Sequence, residues 1–211
     1  MGFRKQLLEL EKGQPLAGMA LHALLTSRLK EIVVVVRPED DLQWLQHSLG
    51  QYKSTAGSGE WPDVHVAVCS RSPEGMSHSI RSGLLHLLSF RPQLEEVMVT
   101  LADQPFLSAA LINRLTDYWA SQPGIDYAAA ALKVDGSSEP LLMPPAILGS
   151  TMFVELLRLE GDEGARKLFK MSRFKGGAVE PFSRMCLFDV DTPEDADLAK
   201  IHYRLMGRGV R

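Results

Sequence analysis

Short β-branched runs, each the length of one strand, alternate along this chain with stretches whose apolar residues recur at helical spacing, and this alternation restricts the fold more than any other feature. EIVVVV (31–36), VHVAVC (64–69), EVMVTL (96–101), DYAAAAL (126–132) and CLFDV (186–190) read as strands. The runs are continuously apolar rather than strictly alternating, as in strands covered on both faces. Helical patterns are predicted over 16–29, 39–49, 79–89, 109–120, 146–159, 163–171 and 193–205. Strand and helix alternating through short connections give crossover units on a mostly parallel sheet. The expected fold is therefore α/β, a three-layer α/β/α sandwich of Rossmann-like type, with residues 1–211 in one domain. The Gly- and Ser-rich stretch QYKSTAGSGEWPD (51–63) reads as a surface loop without chemistry.

Composition narrows the function classes. Lys plus Arg number 23 against 26 Asp plus Glu, a net charge of -3. Broad nucleic-acid surfaces carry a basic excess, so no nucleic-acid partner is expected. The longest aliphatic run, 32–36, is far too short to span a bilayer, and MGFRKQLLELEK lacks the apolar core of a signal peptide. No membrane association and a cytoplasmic location are the expectation. Cys69 and Cys186 sit apart, beside apolar runs and outside any Cys/His cluster, and read as small buried hydrophobes in a reducing compartment.

Four segments can carry chemistry. TLADQP (100–105) sets Asp103 just beyond a strand's C-terminal end, where open α/β sheets bind ligands. A carboxylate there can hold Mg²⁺ together with substrate phosphates, or simply open a turn or cap the next helix. In DVDTPEDADL (189–198), helix initiation accounts for Thr192, Pro193, Glu194 and Asp195 but not for Asp189 and Asp191, which flank Val190 at a strand end. EGMSHSIRSGL (74–84) runs from a Gly-containing loop into a helix carrying Ser77, Ser79 and Arg81, an arrangement suited to an anion or simply a Ser-capped helix. GDEGARKLF (161–169) reads as a capped short helix containing Arg166.

Taken in order, these segments resemble the MobA-like NTP transferases, the family that activates molybdenum cofactor. Its members carry Met-Gly-x-x-Lys-x-Leu-Leu, matched here by Met1, Gly2, Lys5, Leu7 and Leu8, then GMSHSIRSGL, LADQP, GDEGAR and DVDTPED. A Gly-His-Pro-like segment of the family reads SEPLLMPP (138–145) here, with Glu139 where His is frequent.

The resemblance implies a nucleotidyltransferase with the nucleotide-diphospho-sugar transferase fold. It would use an NTP and Mg²⁺ to place a nucleoside monophosphate on molybdopterin and release pyrophosphate. Asp103 and Asp191 would hold the metal, and Lys5 would neutralise the triphosphate beside Asp103 in the catalytic set. Gly2, Lys5, Gly75, Ser79 and Arg81 would bind the nucleotide, while Arg81 and Arg166 are weaker candidates for phosphate or pterin contacts. The GMS and LADQP patterns lean toward CTP rather than GTP. Such relatives also serve molybdenum hydroxylases such as xanthine dehydrogenase. The alternatives are a sugar- or polyol-phosphate nucleotidyltransferase and a noncatalytic cofactor-binding accessory protein. The family also opens on a strand and a Gly-rich loop, so the domain is expected to be N-terminally incomplete, its reading frame extending upstream by one strand and one loop. That strand's expected neighbours are 32–36 and 96–101.

Overall fold

The structure, a computed structural model, describes residues 7–11, 13–55, 61–134 and 136–208. A small antiparallel pair, β1 (Glu9–Glu11) and β2 (Gln14–Pro15), leads into α1 (Leu16–Leu25). β3 (Glu31–Val36) then pairs in parallel with β4 (Asp63–Val68), Ile32 opposite Val64 and Val36 opposite Val68. Between them runs α2 (Gln43–Thr55), and after β4 comes α3 (Met76–Phe90). The first five residues of the expected 51–63 loop thus belong to a helix. Residues 61–62 join it to β4 without regular structure, and 56–60 lie outside the described residues.

The second sheet has the order β5-β7-β6-β8, formed by β5 (Glu96–Val99), β7 (Leu141–Gly149), β6 (Tyr127–Leu132) and β8 (Gly176–Val179). β6 and β8 are parallel, whereas β7 runs antiparallel to both β5 and β6. Four consecutive alanines make β6 thin, and all four are buried. Ala128 and Ala130 meet Leu111, Ile112 and Leu115 of α4 (Ala109–Ser121) on one face. Tyr127 and Ala129 meet Leu84 of α3 and Leu156 of α5 (Phe153–Leu157) on the other. Small side chains let both helical layers approach, so this is a three-layer sandwich.

The same two layers tie the sheets together. Leu21 and Leu25 of α1 pack on Ile32 of β3, while Ala23 joins the cluster around β6. On the opposite face α3 crosses β3 so closely that a Cβ on Gly83 would meet Val35 Cγ2 at 3.0 Å. Its Leu84 reaches the cluster over β5 and β7. Among the described residues, β3 pairs only with β4 and β5 only with β7.

Three local expectations are corrected. The helix predicted over 146–159 begins late: Leu141–Gly149 is a strand, and helix starts only at Phe153. Pro144 and Pro145 stand ahead of the predicted helix; burial from Met143 to Gly149 and pairing with both β5 and β6 make 146–149 the end of a central strand instead. The β6–β7 register jumps from Ala129↔Ala146 to Ala130↔Met143, skipping both prolines, which have no N–H for the ladder. CLFDV is not a strand; a short 3-10 turn covers Arg184–Leu187, opened by Ser183, whose Oγ accepts from Met185 N at 3.3 Å. β8 escaped notice because its sequence is Gly-Gly-Ala-Val, poor in strand formers. Its glycines are demanded by neighbours, since a Cβ at Gly176 or Gly177 would overlap the Tyr127 or Tyr118 ring. The helix expected over 163–171 shrinks to α6 (Arg166–Phe169), and the chain closes on α7 (Pro193–Arg208).

Candidate functional site

Two turns that are far apart in sequence meet at one end of the second sheet. The segment after β5 carries Asp103 and Gln104, and the backbone N–H of Val190 donates to the Asp103 carbonyl at 3.0 Å. Val190 is wholly buried, which anchors the Asp189–Asp191 turn with Asp189 half-buried and Asp191 exposed. Gln104 is also wholly buried. Its Nε2 donates to Asp189 Oδ1 at 2.8 Å and to the Pro144 carbonyl at 3.2 Å. That carbonyl lies in the stretch of β7 that the β6 register skips.

Burial holds the Asp189 carboxyl above the ordinary aspartate range. The Gln104 hydrogen bond opposes this shift, the neighbouring charges of Asp103 and Asp191 add to it, and the Arg166 cation opposes it. Charges on two other segments, Asp103 and Arg166, are thus felt at the turn that carries Asp189 and Asp191. Two of the acids, Asp103 and Asp191, are the pair predicted for metal.

The expected cap at Thr192 is present. Its Oγ1 accepts from Asp195 N at 3.1 Å, and Asp195 Oδ2 accepts from Thr192 N at 2.8 Å and Asp191 N at 3.1 Å. This reciprocal box starts α7 and orients the turn bearing Asp191. Thr192→Ala is expected to cost about 1 kcal/mol in urea denaturation. Asp103 does not cap the helix after it; that cap is Ser108, whose Oγ accepts from Leu111 N at 3.3 Å.

The glycine loop after β4 docks on the 161–166 loop. Gly75 has φ +136°, and a Cβ there would overlap the carbonyl carbon and oxygen of Gly161. Ser77 N donates to the Gly161 carbonyl at 3.1 Å. Ser77 is wholly buried and its Oγ finds no hydrogen-bond partner among the described residues, nor does the Gln104 Oε1. Ser79 is half-buried on the first turn of α3. Arg81 donates from Nε to the Leu157 carbonyl at 3.0 Å and from Nη2 to the Leu159 carbonyl at 2.6 Å, holding the turn that leads to Gly161. Sequence reasoning singled out Arg81 for a ligand; these bonds give it a structural task. His78 lies 3.7 Å from Glu74, whose carboxyl the Arg71 hydrogen bond lowers below its usual range.

Gly2 and Lys5 lie outside the described residues. Gln104 is the residue that sequence reasoning passed over. It sits inside LADQP, but only the fold reveals that its side chain joins two other segments. Gln104→Leu is expected to lower unfolding free energy by about 1–3 kcal/mol, the cost of leaving buried acceptors unmet. Chemical denaturation measures it, and an unchanged midpoint would discount the bridge.

Comparison with known proteins settles the family. The model of the MobA-like NTP transferase domain matches residues 1–177. The chain belongs to the MobA-like NTP transferase family. The purine catabolism protein PucB of Bacillus subtilis (strain 168) is 32% identical over 202 residues, covering 95% of this chain and 89% of that protein. Among solved structures, Rv0371c from Mycobacterium tuberculosis H37Rv superposes with TM-score 0.65 at 22% identity, covering 95% of this chain and 91% of that one. Its manganese complex gives TM-score 0.63 at 21% identity, covering 95% and 93%. The 4-diphosphocytidyl-2C-methyl-D-erythritol synthase of Anaerococcus prevotii DSM 20548 gives TM-score 0.70 at 16% identity, with 95% and 91% covered. These establish the nucleotide-diphospho-sugar transferase fold. Among the described residues no helix is long and apolar enough to cross a membrane, and Cys69 and Cys186 are free.

Proposed function

We propose that this member of the family transfers a nucleoside monophosphate from an NTP, CTP in preference to GTP, to the phosphate of molybdopterin. The observation that carries the reading is the Val190–Asp103 hydrogen bond, which joins the LADQP and DVDTPED turns beside the sheet end. Asp103 and Asp191 bring hard oxygen donors, as Mg²⁺ requires. Among the described residues no group of three His, Cys, Asp or Glu is placed to hold an ion by itself. The buried Ser77 Oγ and Gln104 Oε1 are further polar atoms that a bound nucleotide or its water can satisfy.

When bound, Mg²⁺ would supply charge neutralisation at the triphosphate. The protein's own work is positioning. Asp103 and Asp191 would hold the ion, and Lys5 would neutralise the phosphates. Gly75 and Ser79 line the base or ribose pocket, Gly2 belongs to the nucleotide-binding set, and Arg166 serves phosphate or pterin contacts. Arg81 acts at one remove by fixing the loop against which Gly75 packs. The acceptor's phosphate oxygen bonds to the α-phosphorus as the bond to the β-phosphate bridging oxygen breaks, and pyrophosphate departs. In-line geometry and charge compensation make up the catalysis. The relationship to a purine catabolism protein supports an acceptor cofactor destined for a molybdenum hydroxylase such as xanthine dehydrogenase, working in the cytoplasm.

Calorimetric titration with CTP, GTP and molybdopterin, each with and without Mg²⁺, tests this reading. Mg²⁺-dependent CTP binding followed by pyrophosphate release with molybdopterin is expected. Turnover with a sugar or polyol phosphate instead would move the acceptor to that class. Molybdopterin binding without nucleotide binding would make the protein an accessory carrier.

A further inference from the structure

Helix α7 has two apolar faces, and the fold uses one of them. Ala196 and Ala199 are buried with Val190, Leu16 and Phe106, and the His202 ring meets the Phe106 ring edge at 4.8 Å. On the opposite side Leu198, Ile201 and Leu205 are 55%, 55% and 61% exposed. Their spacing, i, i+3 and i+7, aligns them in one stripe along the helix, the seam pattern of a helix that packs against another helix. Single exposed aliphatics need no explanation, but a continuous stripe on a well-formed helix does.

We infer that this stripe is a self-association surface, through which two copies of the chain pair by antiparallel contact of their α7 helices. The charge pattern beside the stripe selects both the occupant and the direction. Glu194 and Asp197 lie before Ile201 on α7, and Arg204 lies after it. A parallel pairing sets acid against acid and base against base. An antiparallel pairing about a two-fold axis near Ile201 sets the acids before that residue against the other copy's Arg204. Leu198 then meets the other copy's Leu205, Ile201 meets its own counterpart, and Asp197 lies beside the other copy's Arg204. One patch serves both copies, as a two-fold interface requires, and the two helix dipoles oppose favourably. Asp197 is 3.4 Å from Lys200 within its own helix, an exposed pair that can be exchanged at little cost. One helix pair buries less than the roughly 1,200–2,000 Å² of a standard stable interface, so the dimer is weak and concentration-dependent.

Sedimentation velocity of the full chain, from low to high micromolar, tests this. The wild type is expected to pass from monomer to dimer across that range. Ile201→Glu, and separately Leu198→Gln with Leu205→Gln, should remain monomeric while keeping wild-type circular dichroism and melting, because these side chains point outward. Arg204→Asp alone should weaken association several-fold, and adding Asp197→Arg should restore it. A wild type that stays monomeric throughout overturns the inference, as does an Ile201→Glu protein that dimerises normally. A double charge reversal no stronger than Arg204→Asp alone overturns the antiparallel arrangement.

Discussion

Asp103→Ala and Asp191→Ala are each expected to reduce nucleotidyl transfer by ~10³-fold or more while leaving the melting temperature close to wild type. Losing a ligand to the ion that neutralises the triphosphate removes several kcal/mol of transition-state stabilisation, and each 1.36 kcal/mol is about tenfold in rate. The structural cost is small by comparison. Asp191 is exposed, and the bond that fixes its turn to the LADQP segment runs through the Asp103 main chain rather than its side chain. Pyrophosphate release at saturating nucleotide, with Mg²⁺ titrated for each variant, separates weakened metal binding from lost chemistry. Unchanged turnover in either protein would remove that residue from the metal site.

Gly75→Ala should have the largest effect among substitutions outside the carboxylates, and it should act on stability as well as on nucleotide binding. At φ +136° an L side chain is strained whatever space surrounds it, and here the added Cβ would overlap the Gly161 carbonyl. Backbone strain of about 1–3 kcal/mol and a similar cost for displacing packed main chain together predict about 3 kcal/mol or more. The two loops must part, which breaks the bond from Ser77 N to the Gly161 carbonyl and shifts Ser79. Urea denaturation with nucleotide KM on the same preparation reads both effects. Weakened binding at full stability would mean that Gly75 touches the nucleotide directly and that the loop contact is dispensable. Wild-type values in both measurements would discard both roles.

The elements legible in the sequence were those whose signal is local. β3 fell on 31–36 as predicted, because its β-branched run is bounded on both sides by turn-forming residues. α4 and α7 began where predicted, at Ala109 and Pro193; Thr192 announces the cap of α7, whereas the Ser108 cap of α4 came to light only in the structure. The family signature was legible for a related reason. Residues that form charged turns and helix caps stand together in the sequence, so LADQP and DVDTPED identify themselves before any fold is known.

What the sequence alone determined was the α/β class, the strand-and-helix alternation and the set of turns able to hold charge. Tertiary structure decided the rest. The last four residues of β7, 146–149, looked helical because a buried central strand and a buried helix are equally apolar, and only pairing with β5 and β6 on either side distinguishes them. β8 was invisible because its glycines answer to two tyrosine rings contributed by distant segments. Arg81 looked like an anion ligand until the fold supplied two carbonyls for its guanidinium. Gln104 looked like a turn residue until Pro144 and Asp189 arrived from 40 and 85 residues away. In each case the deciding partner is remote in sequence, so its contribution exists only once the chain has closed on itself.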